Sequence, residues 1–284
     1  MRCSHSQSLR KDKRAVAPAV STVILTAAVV VMILVAMGFA NNFLDMRMAE
    51  NEFSTNKQFM LTTGLQIDDI AWTIGRTQTV RYSSQYGSMK FQSLAVNYTF
   101  EIYKGGDWEN LFSNATGMIL FNVPVSAYSI SNNYFERVLP SANGSFLQEG
   151  PSAPVSQVFC TEKLPMIEGN YTRIAAVPSI RMLNSTIEGP SGTSTNYYKF
   201  YMPTLMPGNH LYRSQSITMT DNDITKVVAN NVNQVRISVT FPNAALGFDA
   251  DFFNFDHISE TVTLLPGSVI EFYVGKVIVT IGQV

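Results

Sequence analysis

The sequence is poor in the residues that most often carry out catalysis or bind metals. It has two cysteines and three histidines in 284 residues. The histidines do not form the HExxH spacing of a zinc peptidase, and the chain has neither a GxSxG nucleophile turn nor a glycine-rich phosphate loop. We therefore expect a protein that is not an enzyme, with no cofactor and no small-molecule substrate.

The two cysteines, Cys3 and Cys160, are far apart in the chain. They stand on opposite sides of a long apolar segment, so we expect no disulfide bond between them. A buried apolar role is favoured for Cys160, because free cysteine behaves as a small hydrophobic residue. Pairing with another chain is the alternative.

Charge is absent from one long stretch. From Ala15 to Leu44 there is no Asp, Glu, Lys or Arg, a run of 30 residues, whereas about 20 are enough for a helix to cross a bilayer. Residues 1–14 carry five bases and one acid. Because Lys and Arg stay on the cytoplasmic side, we predict a single-pass membrane protein with its N-terminus inside and its C-terminal domain outside. The rest of the chain has no basic stripe for nucleic acid.

Apolar residues recur every seventh position from this segment onward. The spacing predicts one long helix from about Pro18 to Ile74, which is hydrophobic over residues 15–44 and amphipathic over residues 45–75. Two nearly collinear helices, or a membrane helix followed by a separate one, are the alternatives. A bend would cost least at Gly38 or at residues 41–42, and Gly75 suits the end. The repeat consists of Leu25, Met32, Phe39, Met46, Phe53, Met60, Ile67 and Ile74.

Residues 76–284 change to a period of two. Val96, Tyr98, Phe100 and Ile102 alternate with more polar residues, and so do several other short runs separated by turn clusters. We predict an α+β protein in which the long helix is followed by a mainly antiparallel, β-sandwich-like domain. The helix is expected to cover one face of the sheet, and Gly275 is expected to mark a bulge.

The β-rich domain offers only weak binding motifs. Two oxygen-rich turns could hold Ca²⁺, but both lack the glycine and distal glutamate of an EF-hand, so solvated turn residues are the favoured interpretation. The candidates are Asp221, Asp223, Asp249 and Asp251, the second pair followed by Asp256 and His257. No metal is therefore expected.

Five Asn-X-Ser/Thr acceptors for N-glycosylation lie in the domain that is predicted to be outside. Phenylalanines cluster at positions 248, 252, 253 and 255, where a strand core and a contact surface are both open interpretations. The acceptors are Asn97, Asn114, Asn143, Asn170 and Asn184.

The junction KRAVAPAVSTVIL, residues 13–25, resembles the class III signal of archaeal type IV pilins and related archaellin-like proteins. The resemblance is close over residues 11–40, and the order of long helix and β-rich domain extends it to the whole chain. It implies that a prepilin peptidase cuts between Arg14 and Ala15 and removes the leader, residues 1–14. Two features depart from the family: Ala17 stands where serine is common, and no acid follows the new N-terminus.

The resemblance implies a subunit of a surface filament, and the length of the chain favours a minor subunit. It would assemble with other pilin-like subunits through a helix face that includes Pro18, Leu25, Met32 and Phe39. A monomeric, signal-anchored surface protein for binding or adhesion is the alternative. A third hypothesis is a secreted enzyme or solute-binding protein, released by a cut after Ala40, but the sequence has no motif for either.

Overall fold

The structure is a computed structural model that describes residues 13–188, 194–209 and 215–282, with side chains from Val20 onward. Most of the leader lies outside this part of the chain, as do Cys3, His5 and His210, and the side chains of Arg14, Ala15 and Pro18 are not described. The chain divides into two compact units, Met1–Met48 and Ala49–Val284. We call the second unit the head.

The long helix α1 comprises Lys13–Ile70, 58 residues. It is a single helix with no interruption at Gly38 or at residues 41–42, because a continuous helix satisfies its own backbone hydrogen bonds. It begins five residues before Pro18, whose missing N–H removes one hydrogen bond from a long helix.

The helix ends at Ile70, and not at Ile74 as the sevenfold repeat predicted. Thr73 N–H donates to the carbonyl oxygen of Ile70 at 3.2 Å, which closes a tight turn. Gly75, with a φ of +79°, lies in the connection to the first strand. Ile74 is 70% exposed, because the chain has already left the helical path at that point.

The head contains eleven described strands in one sheet. In chain order they are β1 (Thr77–Arg81), β2 (Ser88–Lys104), β3 (Asp107–Pro124), β4 (Tyr134–Leu139), β5 (Leu147–Glu149), β6 (Ser156–Glu162), β7 (Tyr171–Pro178), β8 (Ile180–Glu188), β9 (Ser194–Pro207), β10 (Ser216–Thr240) and β11 (Ser259–Gly282). A 3₁₀ turn (Ala244–Leu246) and a short helix α2 (Ala250–Phe253) precede β11.

The fold class is α+β, but the sheet is mixed. Its order is β4-β6-β7-β3-β2-β10-β11-β9-β8-β5, with β1 paired to β10. Most pairs are antiparallel, whereas β9 pairs with β11, and β5 with β8, in parallel. β9 lies on the side of β11 opposite β10. Residue alternation indicates strands but not their direction, so the sequence did not predict these pairs.

Two apolar clusters bury the two faces of the sheet. Strand β3 shows the division most clearly, because Ile119 and Phe121 belong to the cluster beneath α1, whereas Met118 and Leu120 belong to the cluster on the opposite face. Successive side chains of a strand point to opposite faces. β3 is therefore buried on both sides, which explains its continuous apolar run.

The cluster on the opposite face contains many contacts between aromatic rings, and we call it the ring-rich cluster. The Phe272 ring lies 4.8 Å from the rings of Phe100 and Phe200, centroid to centroid. Phe248, Phe252 and Phe253 are fully buried in the same cluster. Phe255, the fourth member of the run, is partly buried against this cluster. The core interpretation of the phenylalanine run is thereby confirmed.

The sheet curls so that β3 and β9, which are not neighbours in the strand order, come together. Asn114 Nδ2 donates to Thr204 Oγ1 at 2.5 Å, and Leu205 N–H donates to Thr116 Oγ1 at 2.9 Å. Such side-chain bonds satisfy polar groups that the curl buries. They hold one part of the sheet over the other and enclose the ring-rich cluster.

Helix α1 lies against the sheet at very short distance near its C-terminal end. A Cβ atom on Gly275 would stand 2.2 Å from the carbonyl oxygen of Ala71. Gly275 faces Ile224 in regular register with β10, and the adjacent irregularity lies between Asp221 and Asp223. The glycine is thus not a bulge as predicted; it makes room for the end of the helix.

Replacing Gly275 with alanine is expected to destabilise the head. The new methyl group would collide with backbone, and such overpacking costs about 1–3 kcal/mol. Chemical unfolding of the detergent-solubilised chain, followed by tryptophan fluorescence, measures the change. Gly38→Ala is the control, since no atom lies within 4 Å of a Cβ there; equal stability of the two variants would contradict the close contact.

Candidate functional site

The most unusual surface of the described chain is the apolar N-terminal part of α1. Every residue from Val20 to Met48 is exposed. Water around so much apolar area is unfavourable, at roughly 25 cal/mol per Å². We call Val20–Leu44, which contains no charged residue, the apolar segment.

The apolar segment has the length and composition of a membrane span. α1 is the one described helix that meets both conditions, and none of its most apolar window is buried. A helix satisfies all its backbone hydrogen bonds internally, as a bilayer requires.

The predicted assembly face is not set apart from the rest of the apolar segment. Leu25, Met32 and Phe39 are 66%, 62% and 73% exposed, and Leu34 on another face is 63% exposed. The helix is apolar around its whole circumference, which suits contact with lipid or with several neighbouring helices. The special role of these three residues and of Pro18 stays a prediction.

From Ala49 onward the same helix is amphipathic and packs on the sheet. Phe53, Met60 and Ile67 of the sevenfold repeat are at most 5% exposed, in one cluster with strand residues such as Phe121. Their burial confirms that this stripe covers a sheet face. Each of these three residues has a large apolar side chain, whose burial contributes about 1.5–3 kcal/mol to the stability of the fold.

Glu52 connects the part of α1 that packs on the sheet to the loop between β1 and β2. Its carboxylate accepts hydrogen bonds from three successive backbone N–H groups, those of Gln85 (2.8 Å), Tyr86 (3.1 Å) and Gly87 (2.9 Å). Only 8% of Glu52 is exposed. Three N–H donors offset the cost of burying the charge, and hydrogen bonds to charged groups are the strong ones.

Asn56, one turn later, extends the same contact. Its Nδ2 donates to the carbonyl oxygens of Ser83 (2.8 Å) and Glu52 (3.0 Å). Lys57 then pairs with Glu136 of β4 at 2.5 Å, and this hydrogen bond holds the pKa of Glu136 below its usual value. Polar residues on α1 thus attach the helix to two separate parts of the head.

The role of Glu52 was not predicted from the sequence. A signal was present, since Glu52 and Asn56 are four residues apart and therefore share a helix face. That face adjoins the stripe of Phe53 and Met60. Two polar residues there indicate buried partners, but the sequence does not say which loop supplies them.

The four candidate Ca²⁺ ligands do not come together. Both oxygens of Asp249 bind Lys163 Nζ, at 2.6 and 2.7 Å, and Asp249 also caps α2. Asp223 pairs with Lys276 at 2.9 Å, and Asp251 is 3.9 Å from Lys163. Across residues 13–188, 194–209 and 215–282, no three His, Cys, Asp or Glu side chains are placed to hold a metal.

Asp221 differs from the other three acids. It is 2% exposed, and its carboxylate accepts no hydrogen bond of good geometry from the described chain. Burial raises the pKa of Asp221 above its ordinary value, and repulsion from Asp223 adds a smaller contribution in the same direction.

Cys160 is buried, as predicted, and burial raises the pKa of its thiol to about 12.

The five acceptor asparagines lie in different environments. Asn143, Asn170 and Asn184 are exposed, whereas Asn97 and Asn114 are partly buried in β2 and β3. All five belong to the head. Their exposure alone does not show which of them carry a glycan.

Replacing Glu52 with glutamine should weaken the attachment of the loop. The amide keeps one acceptor oxygen and turns an N–H₂ group toward backbone donors, so we expect a loss of about 1.5–3 kcal/mol in unfolding free energy. Hydrogen exchange should accelerate at the amides of residues 85–87. Glu109→Gln, at an exposed position of β3, is the matched control; unchanged exchange in the loop would refute the role of Glu52.

Comparison with protein-family models, curated proteins and solved structures finds no match to this chain. The function is therefore inferred from the residues of this chain alone. Helix α1 contains the apolar segment in its N-terminal part and packs on the β-rich head through Phe53, Met60 and Ile67 in its C-terminal part.

Proposed function

We propose that this chain is a minor, pilin-like structural subunit of an archaeal type IV pilus-like surface filament. In this proposal a prepilin peptidase removes residues 1–14, and the subunit assembles through its N-terminal helix. The observation that carries the proposal is the complete exposure of an uncharged apolar surface on a helix that also forms part of the core of the head.

The length of the uncharged run favours assembly over simple anchoring. Residues 15–44 number 30 and span about 45 Å as a helix, whereas the hydrocarbon core of a bilayer is about 30 Å thick. A helix that is only an anchor would have to tilt by about 50° to keep all of these turns in the hydrocarbon core, beyond the usual range of about 0–40°, so an apolar cover outside the lipid is favoured. Helices of neighbouring subunits supply such a cover, and a head-to-tail contact that does not close propagates as a filament.

Small residues in the segment support close helix contacts. Ala27, Ala28, Ala36 and Gly38 are exposed, and no atom lies within 4 Å of a Cβ built on Gly38. Helices in membranes associate where small residues allow their backbones to approach. A helix that serves only as an anchor has no need of such positions.

The N-terminal residue of the mature protein from native membranes tests the processing step. Peptide mass spectrometry is expected to find Ala15, and Arg14→Ala should abolish cleavage and filaments, while Arg10→Ala, further from the bond, should not. A start at Met1 would identify a signal anchor, and a start at Asn41 a secreted protein. Either result would overturn the proposal.

A substitution that keeps the segment apolar tests assembly separately from insertion. Gly38→Leu should insert normally but reduce filament number about tenfold, because a bulky side chain prevents close helix approach. Met37→Leu, which conserves volume, is the control. Electron microscopy counts the filaments and membrane fractionation reports insertion. Normal filament numbers in Gly38→Leu would show that this position makes no helix contact.

A further inference from the structure

Strand β8 has a free edge at one of the acceptor sequences. β5 covers β8 only at Ile180, Arg181 and Met182, so its outer edge is unpaired by described strands from Leu183 onward. The acceptor sequence Asn184-Ser185-Thr186 lies on this free part, and all three residues are exposed. The Thr186 hydroxyl donates to Asn196 Oδ1 at 2.8 Å, and this contact lies at the exposed surface. An enzyme that must reach both the asparagine amide and the hydroxyl two residues later therefore finds both exposed here.

In two of the other acceptor sequences the fold buries the groups that such an enzyme needs. Asn114 donates to Thr204, and its companion Thr116 is 1% exposed. Asn170 is exposed, but Thr172 is fully buried and donates to Glu162 at 2.7 Å. These contacts would have to break before a sugar could be transferred.

The remaining two acceptors are also engaged. Asn143 donates to Gln148 Oε1 at 3.2 Å, and its companion Ser145 donates to the carbonyl oxygen of Leu147 at 2.8 Å. Asn97 is partly buried in a paired strand, where it donates to Thr240 at 3.3 Å. Asn184 is therefore the acceptor that the fold leaves most accessible.

We propose that Asn184 is the principal N-glycosylation site of the head, because its acceptor sequence is the one in which all three residues are exposed. The donor is a lipid-linked oligosaccharide. Asn184 Nδ2 forms a bond to the anomeric carbon, the bond from that carbon to the lipid phosphate breaks, and the amide proton leaves with the polyprenyl phosphate group. In the cell, this step rests on the proposed outward orientation of the head.

Glycosylation of the purified chain tests the choice of acceptor. The full-length chain in detergent is incubated with an archaeal single-subunit oligosaccharyltransferase and its lipid-linked oligosaccharide, and glycopeptides are quantified by mass spectrometry. Occupancy at Asn184 should exceed that at Asn114 about tenfold. Thr186→Val should abolish modification of Asn184, whereas Thr99→Val should leave it unchanged.

Short synthetic peptides around Asn184 and Asn114 provide the control for sequence preference. Both should be modified at similar rates, because neither has a fold to block it. Equal occupancy of the two asparagines in the folded chain would overturn the proposal. The assay needs neither processing nor filaments, so its failure is distinguishable from failure of the proposed function.

Discussion

The close approach of α1 to one face of the sheet is the constraint on which the head depends. Gly64 in the helix and Gly275 in β11 set the separation, because a Cβ at either position would collide with the opposite element. Ser156 Oγ donates to the carbonyl oxygen of Gly64 at 2.7 Å, directly beneath the helix. Glu52 holds one end of the contact and Ala71 lies over Gly275 at the other, so the helix has a defined position along the sheet.

Helix α1 covers only part of one sheet face, and different parts of a long strand are therefore buried on different faces. In the middle of β11, Ile270, Phe272 and Val274 face the ring-rich cluster, whereas Val277 and Val279, nearer its end, face the helix. Both sets follow the alternation of a strand. One long strand thus serves two cores, which is why it has apolar residues on both faces.

Much of this arrangement could be predicted from the sequence, because periodicity records burial. The sevenfold spacing of Phe53, Met60 and Ile67 correctly placed them on the sheet, and the period of two in β2 correctly indicated a strand. Strand direction, the curl that joins β3 to β9, and the contacts of Glu52 depend on residues far apart in the chain. The position of Gly275 beneath the helix is of the same kind, since a lone glycine in a strand fits a bulge equally well.

The way in which Glu52 holds its loop has an evolutionary consequence. The carboxylate recognises main-chain N–H groups, which every residue except proline provides. The side chain of Gln85 takes no part in that contact, so substitutions there leave it intact. Gly87 is fixed for another reason, since a Cβ would stand 2.4 Å from the Phe121 ring. The side chains of this loop can therefore change while the helix keeps its place.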